Sequence, residues 1–259
     1  TITEDPIRLF FESAWSHINF HSDFFYEFNL DTTGFYTRAG GDKYGIGSSA
    51  ALAVAMAAGF VKIFNITQEV KELASQIHNT FHNNRGSGVD IETSSIGGVI
   101  KFYRNPEKKS ISLDLPKSLK FKIFWSGAPF NTVTQLEKLG SLDKRSFLEL
   151  REMAIGIDSV LAQYSNEVFI DYLKKYTNIL GRFSEEYDLD IFSNRHDILT
   201  DKAKKYPNTV YKPCGAGGDI GICFSLSEKT LETFESMACQ NGFELLDLDL
   251  DESGFSLKG

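Results

Sequence analysis

Cysteine is scarce in this sequence of 259 residues, which contains only Cys214, Cys223 and Cys239. The number is odd, and no two of the cysteines form a C-x-x-C pair. A disulfide framework uses an even set of cysteines, and a structural zinc site uses paired ligands at short spacing. We therefore expect reduced thiols, which are typical of a cytoplasmic protein.

Long apolar runs are also missing. A membrane-spanning helix needs about 20 apolar residues, whereas the longest candidate, Ala50 to Phe64, is shorter and contains Lys62. No signal peptide opens the chain, and we expect no membrane association. Thr1 is not a natural first residue, so we expect that residues upstream were removed or left out.

An excess of positive charge is the third absence. The chain has 27 lysines and arginines against 35 aspartates and glutamates, a net charge of -8. Surfaces that bind DNA or RNA need clustered cations, so nucleic acids are not expected partners. An anionic small molecule remains compatible with this charge, because a local group of cations can dominate within a Debye length.

The hydrophobic content of 42% is enough for the cores of one or two domains. Helices are predicted over residues 49–64 and 227–240, and two or three more over 141–187, with Ser165 as a cap. A further helix is predicted to begin at a cap, Thr67, and to bury the apolar stripe Val70, Leu73, Ile77 and Phe81. Strands are predicted at 96–103, 121–125, 210–212, 220–224 and 243–248, with a partner at 254–257. Residues 7–36 are predicted as strands and turns, with a helix as the alternative for 7–15. This mixture indicates an α+β or α/β fold, which we divide into domains at 1–116 and 117–259.

A glycine motif, Gly45-Ile46-Gly47-Ser48-Ser49-Ala50-Ala51, precedes the clearest predicted helix. Glycines allow a backbone to approach a ligand closely, and a helix N-terminus offers unpaired N–H groups and positive potential to an anion. The motif therefore predicts a phosphate-binding loop, in which a serine hydroxyl could also bind Mg²⁺. The alternative is a flexible turn before a buried, alanine-rich helix.

Two further glycine motifs follow: Gly86-Ser87-Gly88-Val89-Asp90, and Gly215-Ala216-Gly217-Gly218-Asp219 between two predicted strands. Asp90 could act as a base, as a metal partner or as an anchor for a lysine. Each motif taken alone is also compatible with an ordinary turn. Three such loops in one chain favour a shared pocket.

Together and in this order, the three motifs resemble those of the GHMP kinase superfamily, and the resemblance covers most of the chain. Within it the sequence is most similar to the phosphomevalonate kinases. Four features carry that similarity: Lys43 before the first loop, Asp31-Thr32-Thr33-Gly34-Phe35, the second motif followed by residues 100–104, and Trp125-Ser126-Gly127-Ala128-Pro129 with Thr132. Mevalonate kinases usually carry a glutamate metal ligand where this chain has Asn79.

The resemblance implies a fold, cofactors and site residues. The fold would have a ribosomal-protein-S5-like N-terminal domain, incomplete here, and a ferredoxin-like C-terminal domain. The cofactors would be ATP and Mg²⁺, the substrate a small anion such as phosphomevalonate or mevalonate, and the protein a monomer or homodimer. Asp90 and Lys43 would be the catalytic residues, and Ser49 would bind the metal ion. The nucleotide would be bound by Gly45, Gly47, Ser48, Ser49 and Ala50. Substrate contacts would come from Ser87, Gly88, Ser126, Thr132, Gly215, Ala216, Gly217, Gly218 and Asp219.

The sequence also departs from the family pattern. Asn131 replaces a serine, the third motif has one glycine fewer than the usual G-A-G-G-G-D, and the P-G-K-like first motif is absent from this sequence. Candidate cations for a phosphate acceptor are Lys43, Arg85, Lys101, Arg104 and Lys212. Two readings stay open beside phosphomevalonate kinase: another GHMP kinase that acts on mevalonate or a sugar, and a catalytically silent nucleotide-binding protein.

His78 and His82 lie one turn apart on the second predicted helix. Such a pair can bind zinc, but no third ligand is suggested nearby, and a zinc site is the less favoured interpretation. His82 occupies the place of a glutamine that is common in phosphomevalonate kinases, and it is a candidate donor in the pocket.

Overall fold

A computed structural model describes residues 6–18, 26–37, 41–82, 86–130, 132–163 and 165–257. The chain separates into two compact units that interleave along the sequence. Unit 1 consists of Thr1–Phe35, Gly47–Leu113 and Leu250–Gly259, and unit 2 of Tyr36–Ile46 and Asp114–Asp249. The division into domains at residue 116 stays a prediction.

Unit 1 is mainly helical. Its elements are α1 (Pro6–Trp15), a 3-10 turn (Thr33–Phe35), α2 (Ser48–Phe64), α3 (Val70–Phe81), α4 (Val89–Ile96), β1 (Val99–Tyr103) and β2 (Lys109–Leu113). The two strands form an antiparallel hairpin in which Val99 lies opposite Leu113 and Tyr103 opposite Lys109.

The core of unit 1 surrounds helix α2. Ala53, Ala57 and Phe60 of this helix are fully buried, and they pack in one cluster with Leu73 and Ile77 from α3. Small side chains let neighbouring helices approach closely, and close packing is the main source of stability in such a helix. The same cluster includes Ile91 of α4, so α2, α3 and α4 are held around one core.

Unit 2 contains an antiparallel sheet with the strand order β4-β5-β3-β6. Its elements are β3 (Lys120–Trp125), α5 (Thr132–Lys138), α6 (Arg145–Leu161), α7 (Asn166–Glu186), α8 (His196–Ala203), β4 (Thr209–Pro213), β5 (Ile220–Ser225), α9 (Glu228–Gln240) and β6 (Glu244–Leu246). Strand β3, which comes first in the chain, lies between β5 and β6. Strand β4 lies at the edge of the sheet beside β5. This is the strand order of a ferredoxin-like sheet.

The two faces of this sheet belong to different clusters. Successive side chains of a strand point to opposite faces. Val210 packs with Phe169 and Ile170 of α7, whereas its neighbour Tyr211 packs with residues of α8 and α9, including Leu199 and Phe234. The sheet is therefore covered on both faces.

Most of the predicted elements are confirmed, and several are wrong. Residues 6–15 form a helix, as the alternative interpretation held, and no strand occurs among the described residues of 26–35; residues 19–25 lie outside the described ranges. Helix α3 begins at Val70 after Glu69, so Thr67 is not its cap. Helices α4, α5 and α8 were not predicted, and residues 254–257 form no strand.

No helix among the described residues is both long enough and apolar enough to cross a bilayer.

Candidate functional site

The first half of the predicted phosphate loop belongs to unit 2 and is fixed by its aromatic residues. Tyr44 is buried and meets the Trp125 ring edge-on, with 5.4 Å between ring centroids. Its hydroxyl donates to Glu244 Oε1 at 3.0 Å. Lys43 forms an isolated antiparallel bridge with Tyr36. The Lys43 side chain reaches the surface, yet surrounding protein atoms partly desolvate its ammonium group and lower its pKa.

Gly45 lies against the carboxyl group of Asp219 at the end of the third motif. Gly45 has a positive φ of 76°, and a methyl group added to it would overlap Asp219 Oδ2. Asp219 Oδ1 accepts the backbone N–H of Ile220 at 2.7 Å. Burial raises the pKa of Asp219 to about 6. Gly45 of the first motif and Asp219 of the third motif are therefore in direct contact within unit 2.

The second half of the loop belongs to unit 1 and starts helix α2. Gly47 is the N-cap residue, has a left-handed conformation with φ 85°, and no side chain caps the helix. The first amides of a helix have no partner within the helix. Ser48 is buried and Ser49 is half-buried in this first turn. The start of α2 thus has the geometry of an anion site.

The second motif starts helix α4 in the same way. Gly88 is the N-cap residue with φ 81°, again without a side-chain cap, and Asp90 stands in the first turn. Ser87 Oγ accepts the backbone N–H of Val89 at 3.3 Å, and Asp90 Oδ1 accepts that of Ile91 at 3.0 Å. One carboxylate oxygen of Asp90 is therefore occupied by its own helix.

His78 of α3 brings the two helix starts together within unit 1. Its Nε2 lies 3.3 Å from Ser49 Oγ and 3.6 Å from Asp90 Oδ2. Ser49 Oγ and Asp90 Oδ2 thus both lie within 3.6 Å of the same ring nitrogen. Of the residues that the resemblance implied, the structure brings Ser49 and Asp90 together, and sequence reasoning did not foresee that His78 joins them.

The third motif connects β4 to β5 and is packed by its own unit. Side chains on Gly217 and Gly218 would overlap the Ile191 backbone and the Phe130 ring, whereas Gly215 has open space beside it. The Cys214 carbonyl accepts a hydrogen bond from the Gly217 N–H at 2.9 Å. Within this loop Gly215 is exposed and Ala216 is half-buried, so this end of the loop is the part that a ligand can reach.

Ser126 holds this loop to the end of β3. It is fully buried, and its hydroxyl donates to the Gly218 carbonyl at 2.7 Å. Its backbone N–H donates to the Asp219 carbonyl at 2.8 Å, and its own carbonyl accepts Arg195 Nη2 at 2.9 Å. Sequence reasoning missed Arg195, because no motif surrounds it. Thr132 is exposed at the start of α5.

The predicted cations occupy different environments. Lys101 is buried and lies over the Tyr103 ring at 5.2 Å, and Arg104 is exposed. Lys212 Nζ donates to the Pro213 carbonyl at 2.7 Å. Arg85 and Asn131 lie outside the described residues.

Comparison with known proteins supports the expected superfamily. Residues 35–98 match the family model described as the GHMP kinases N terminal domain. The phosphomevalonate kinase of Streptomyces sp. (strain CL190) is 27% identical over 217 residues, which cover 70% of this chain and 57% of that protein. The chain therefore spans little more than half the length of this relative.

Solved structures share the fold at low sequence identity. The Lin0012 protein from Listeria innocua matches with a TM-score of 0.72 and 22% identity, over 83% of this chain and 69% of that one. The Streptococcus pneumoniae phosphomevalonate kinase, solved in complex with phosphomevalonate and AMPPNP, matches with a TM-score of 0.68 and 18% identity, over 82% and 70%. The α+β fold of the GHMP kinases is confirmed, and the chain is similar in sequence to the GHMP kinases N terminal domain over residues 35–98 and to a phosphomevalonate kinase over 70% of its length.

Proposed function

We propose that this chain is an ATP-dependent phosphotransferase that converts phosphomevalonate to diphosphomevalonate in isoprenoid precursor synthesis. The observation that carries the proposal is the meeting of two glycine-started helices at Ser49, His78 and Asp90. Phosphoryl transfer depends on positioning and on the neutralisation of charge, and helix starts supply both to a phosphate. The match of residues 35–98 to the GHMP kinase N-terminal model supports this use of the helices.

The loop residues have distinct proposed roles toward the nucleotide. The backbone of Gly45, Gly47 and Ala50 and the hydroxyls of Ser48 and Ser49 bind the ATP phosphates. Lys43 neutralises phosphate charge, and the surroundings that lower its pKa leave its ammonium group less hydrated. Weak hydration favours direct contact between that cation and an anion.

The chain also fits the Mg²⁺ that accompanies ATP. Mg²⁺ takes oxygen ligands and is usually bound through one or two carboxylates together with substrate phosphates. Ser49 and Asp90 offer such oxygens beside the Nε2 atom of His78, and they are the residues that would hold the ion. When bound, Mg²⁺ would neutralise charge on the phosphates. No group of three or more histidine, cysteine or acidic side chains that could hold a metal by itself occurs in the described part of the chain.

If the acceptor is a phosphate, the role of Asp90 is to orient other groups and not to act as a general base. A phosphate oxygen is already anionic near neutral pH, so its attack needs no general base, whereas an alcohol acceptor benefits from one. Asp90 contacts both its helix backbone and His78, as expected for a carboxylate that orients other groups. The acceptor would contact Ser87, Gly88, Thr132, Gly215 and Ala216, with Ser126, Gly217, Gly218 and Asp219 shaping the third loop.

The acceptor is tested by measuring ADP release by the full-length protein with Mg-ATP and phosphomevalonate, mevalonate or galactose. We expect turnover with phosphomevalonate. Turnover with mevalonate alone would contradict the proposed acceptor, and nucleotide binding without turnover on any acceptor would identify a silent member of the superfamily. We also expect Asp90→Asn to retain part of the activity; complete loss would assign Asp90 the role of an essential base.

A further inference from the structure

His78 lies where three helices of unit 1 meet. It stands in the last turn of α3 and is 6% exposed. Ser49 belongs to the first turn of α2 and Asp90 to the first turn of α4. The same ring nitrogen, Nε2, faces both side chains, at 3.3 Å from Ser49 Oγ and 3.6 Å from Asp90 Oδ2.

This geometry favours a proton on Nε2. A carboxylate beside a ring nitrogen stabilises the form in which that nitrogen carries hydrogen. The Nε2–H group then donates to Ser49 Oγ and points its positive end toward Asp90. A serine oxygen has two acceptor lone pairs, so Ser49 keeps one for a further ligand.

The position on α3 supports the same arrangement. The C-terminal end of a helix has negative potential and favours a positive or donor side chain in its last turn. His78 thus joins the negative end of α3 to the positive ends of α2 and α4. A leucine at this site would pack against the core but would leave both oxygens without this donor.

We propose that His78 is a positioning residue that holds Ser49 and Asp90 in a common orientation for the metal–nucleotide. The proposal rests on the proposed function, because it assigns an orienting partner to two residues of that site. Residues that orient metal ligands typically change metal affinity or activity by 10–100-fold when they are removed. A purely structural histidine would change stability and leave these quantities unaffected.

Two substitutions separate the donor from the bulk of the ring. His78→Phe keeps a flat ring and removes the N–H, whereas His78→Gln places an amide N–H near the position of Nε2. The matched control is His17→Gln, because His17 also bonds a hydroxyl on α3, Thr80 Oγ1 at 2.8 Å. Thermal unfolding of each variant establishes that it is folded before binding is compared.

The main readout is the ratio of the dissociation constants of a fluorescent ATP analogue without and with Mg²⁺. We expect His78→Phe to reduce this ratio about tenfold or more, and His78→Gln and His17→Gln to stay within about threefold of the wild type. In turnover, we expect His78→Phe to raise KM for Mg-ATP and to lower kcat. An unchanged ratio in folded His78→Phe would overturn the proposal, as would equal losses in His78→Gln and His78→Phe.

A second readout needs neither ligand nor activity. The ¹⁵N resonances of the His78 ring report whether Nε2 carries hydrogen, and we expect that it does. We expect the resonance to shift in Ser49→Ala and in Asp90→Asn but not in His17→Gln. An unprotonated Nε2 would overturn the proposal. If the wild type bound no nucleotide while the resonance behaved as expected, the proposed function would fail but the contact would stand.

Discussion

Burial alters the acid–base behaviour of Asp219 beside Gly45. In an unfolded chain its carboxyl would lose the proton near pH 4, whereas in the folded protein the pKa is raised to about 6. The contribution of this group to stability is therefore complete below pH 4 and is lost as the pH rises through 6. Near neutral pH, the folded protein bears the cost of a partly buried negative charge.

Asp219→Asn should remove this pH dependence. The amide oxygen can still accept the Ile220 N–H, but the side chain cannot ionise. Between pH 4 and 7 we expect the wild type to lose about 1–2 kcal/mol of unfolding free energy relative to the variant, after allowance for solvent screening. Urea unfolding at pH 4, 5, 6 and 7 measures the difference, and parallel curves would contradict the expectation.

Tyr211 and His196 form a buried polar pair in the unit 2 core. Both side chains are fully buried, and the tyrosine hydroxyl lies 2.8 Å from His196 Nδ1. Burial lowers the pKa of His196 to about 4, so the ring stays neutral. We expect Tyr211→Phe to cost about 1–3 kcal/mol in urea unfolding, because a buried ring nitrogen loses its partner. Tyr206→Phe, at a half-buried position in the same cluster, should change stability far less.

Sequence motifs indicated candidate site residues but not the side chains that contact them. Glycine spacing indicated Gly45, Gly88 and the third loop, because each motif is local. The contacts of Asp219 with Gly45 and of His78 with Ser49 and Asp90 join positions distant in sequence. They depend on the packing of whole elements, which no local pattern contains.

Helix α4 shows why some elements were missed. Its sequence, VDIETSSI, combines β-branched residues and serines, which have modest helix propensity. Tertiary contacts stabilise it: Ile91 is buried in the core, and Glu92 accepts hydrogen bonds from Ser110 Oγ at 2.6 Å and Lys71 Nζ at 3.3 Å. Long helices with a regular apolar pattern, such as α2 and α7, were predicted because their own sequences carry the signal.

The segment of residues 250–257 packs against the end of α4 through glycines. Asp251 accepts the Gly98 N–H at 2.7 Å through its carbonyl, and Gly254 has φ 63°. A Cβ on Gly254 would lie 2.5 Å from the Ser95 carbonyl oxygen. A side chain at this position would therefore separate the segment from the helix.

Gly254→Ala should destabilise unit 1 by about 1–3 kcal/mol, because it combines a clash with a strained backbone. Gly59→Ala is the matched control, since Gly59 lies within α2 and a Cβ there would meet no atom within 4 Å. That substitution should raise stability by up to about 1 kcal/mol. Chemical denaturation of both variants gives the comparison, and equal effects would contradict the assigned contact.

For the whole molecule, nucleotide binding should appear as a change in thermal stability. A ligand that binds only the folded state adds about 2.7 kcal/mol to the free energy of unfolding when its concentration is 100 times its dissociation constant. We expect AMPPNP with Mg²⁺ to raise the unfolding temperature by several degrees, and AMPPNP with EDTA to raise it less. Absence of any shift across millimolar concentrations would contradict nucleotide binding.

The interleaving of the two units limits how the gene can be divided. Unit 1 draws on three separate stretches of the sequence and unit 2 on two. A gene fragment that stopped after residue 116 would encode residues 36–46 without the rest of their unit and would omit the segment that packs on α4. Independent expression of either unit would need a circularly permuted or internally spliced coding sequence, and recombination between homologous genes would preserve both units only by exchanging several blocks together.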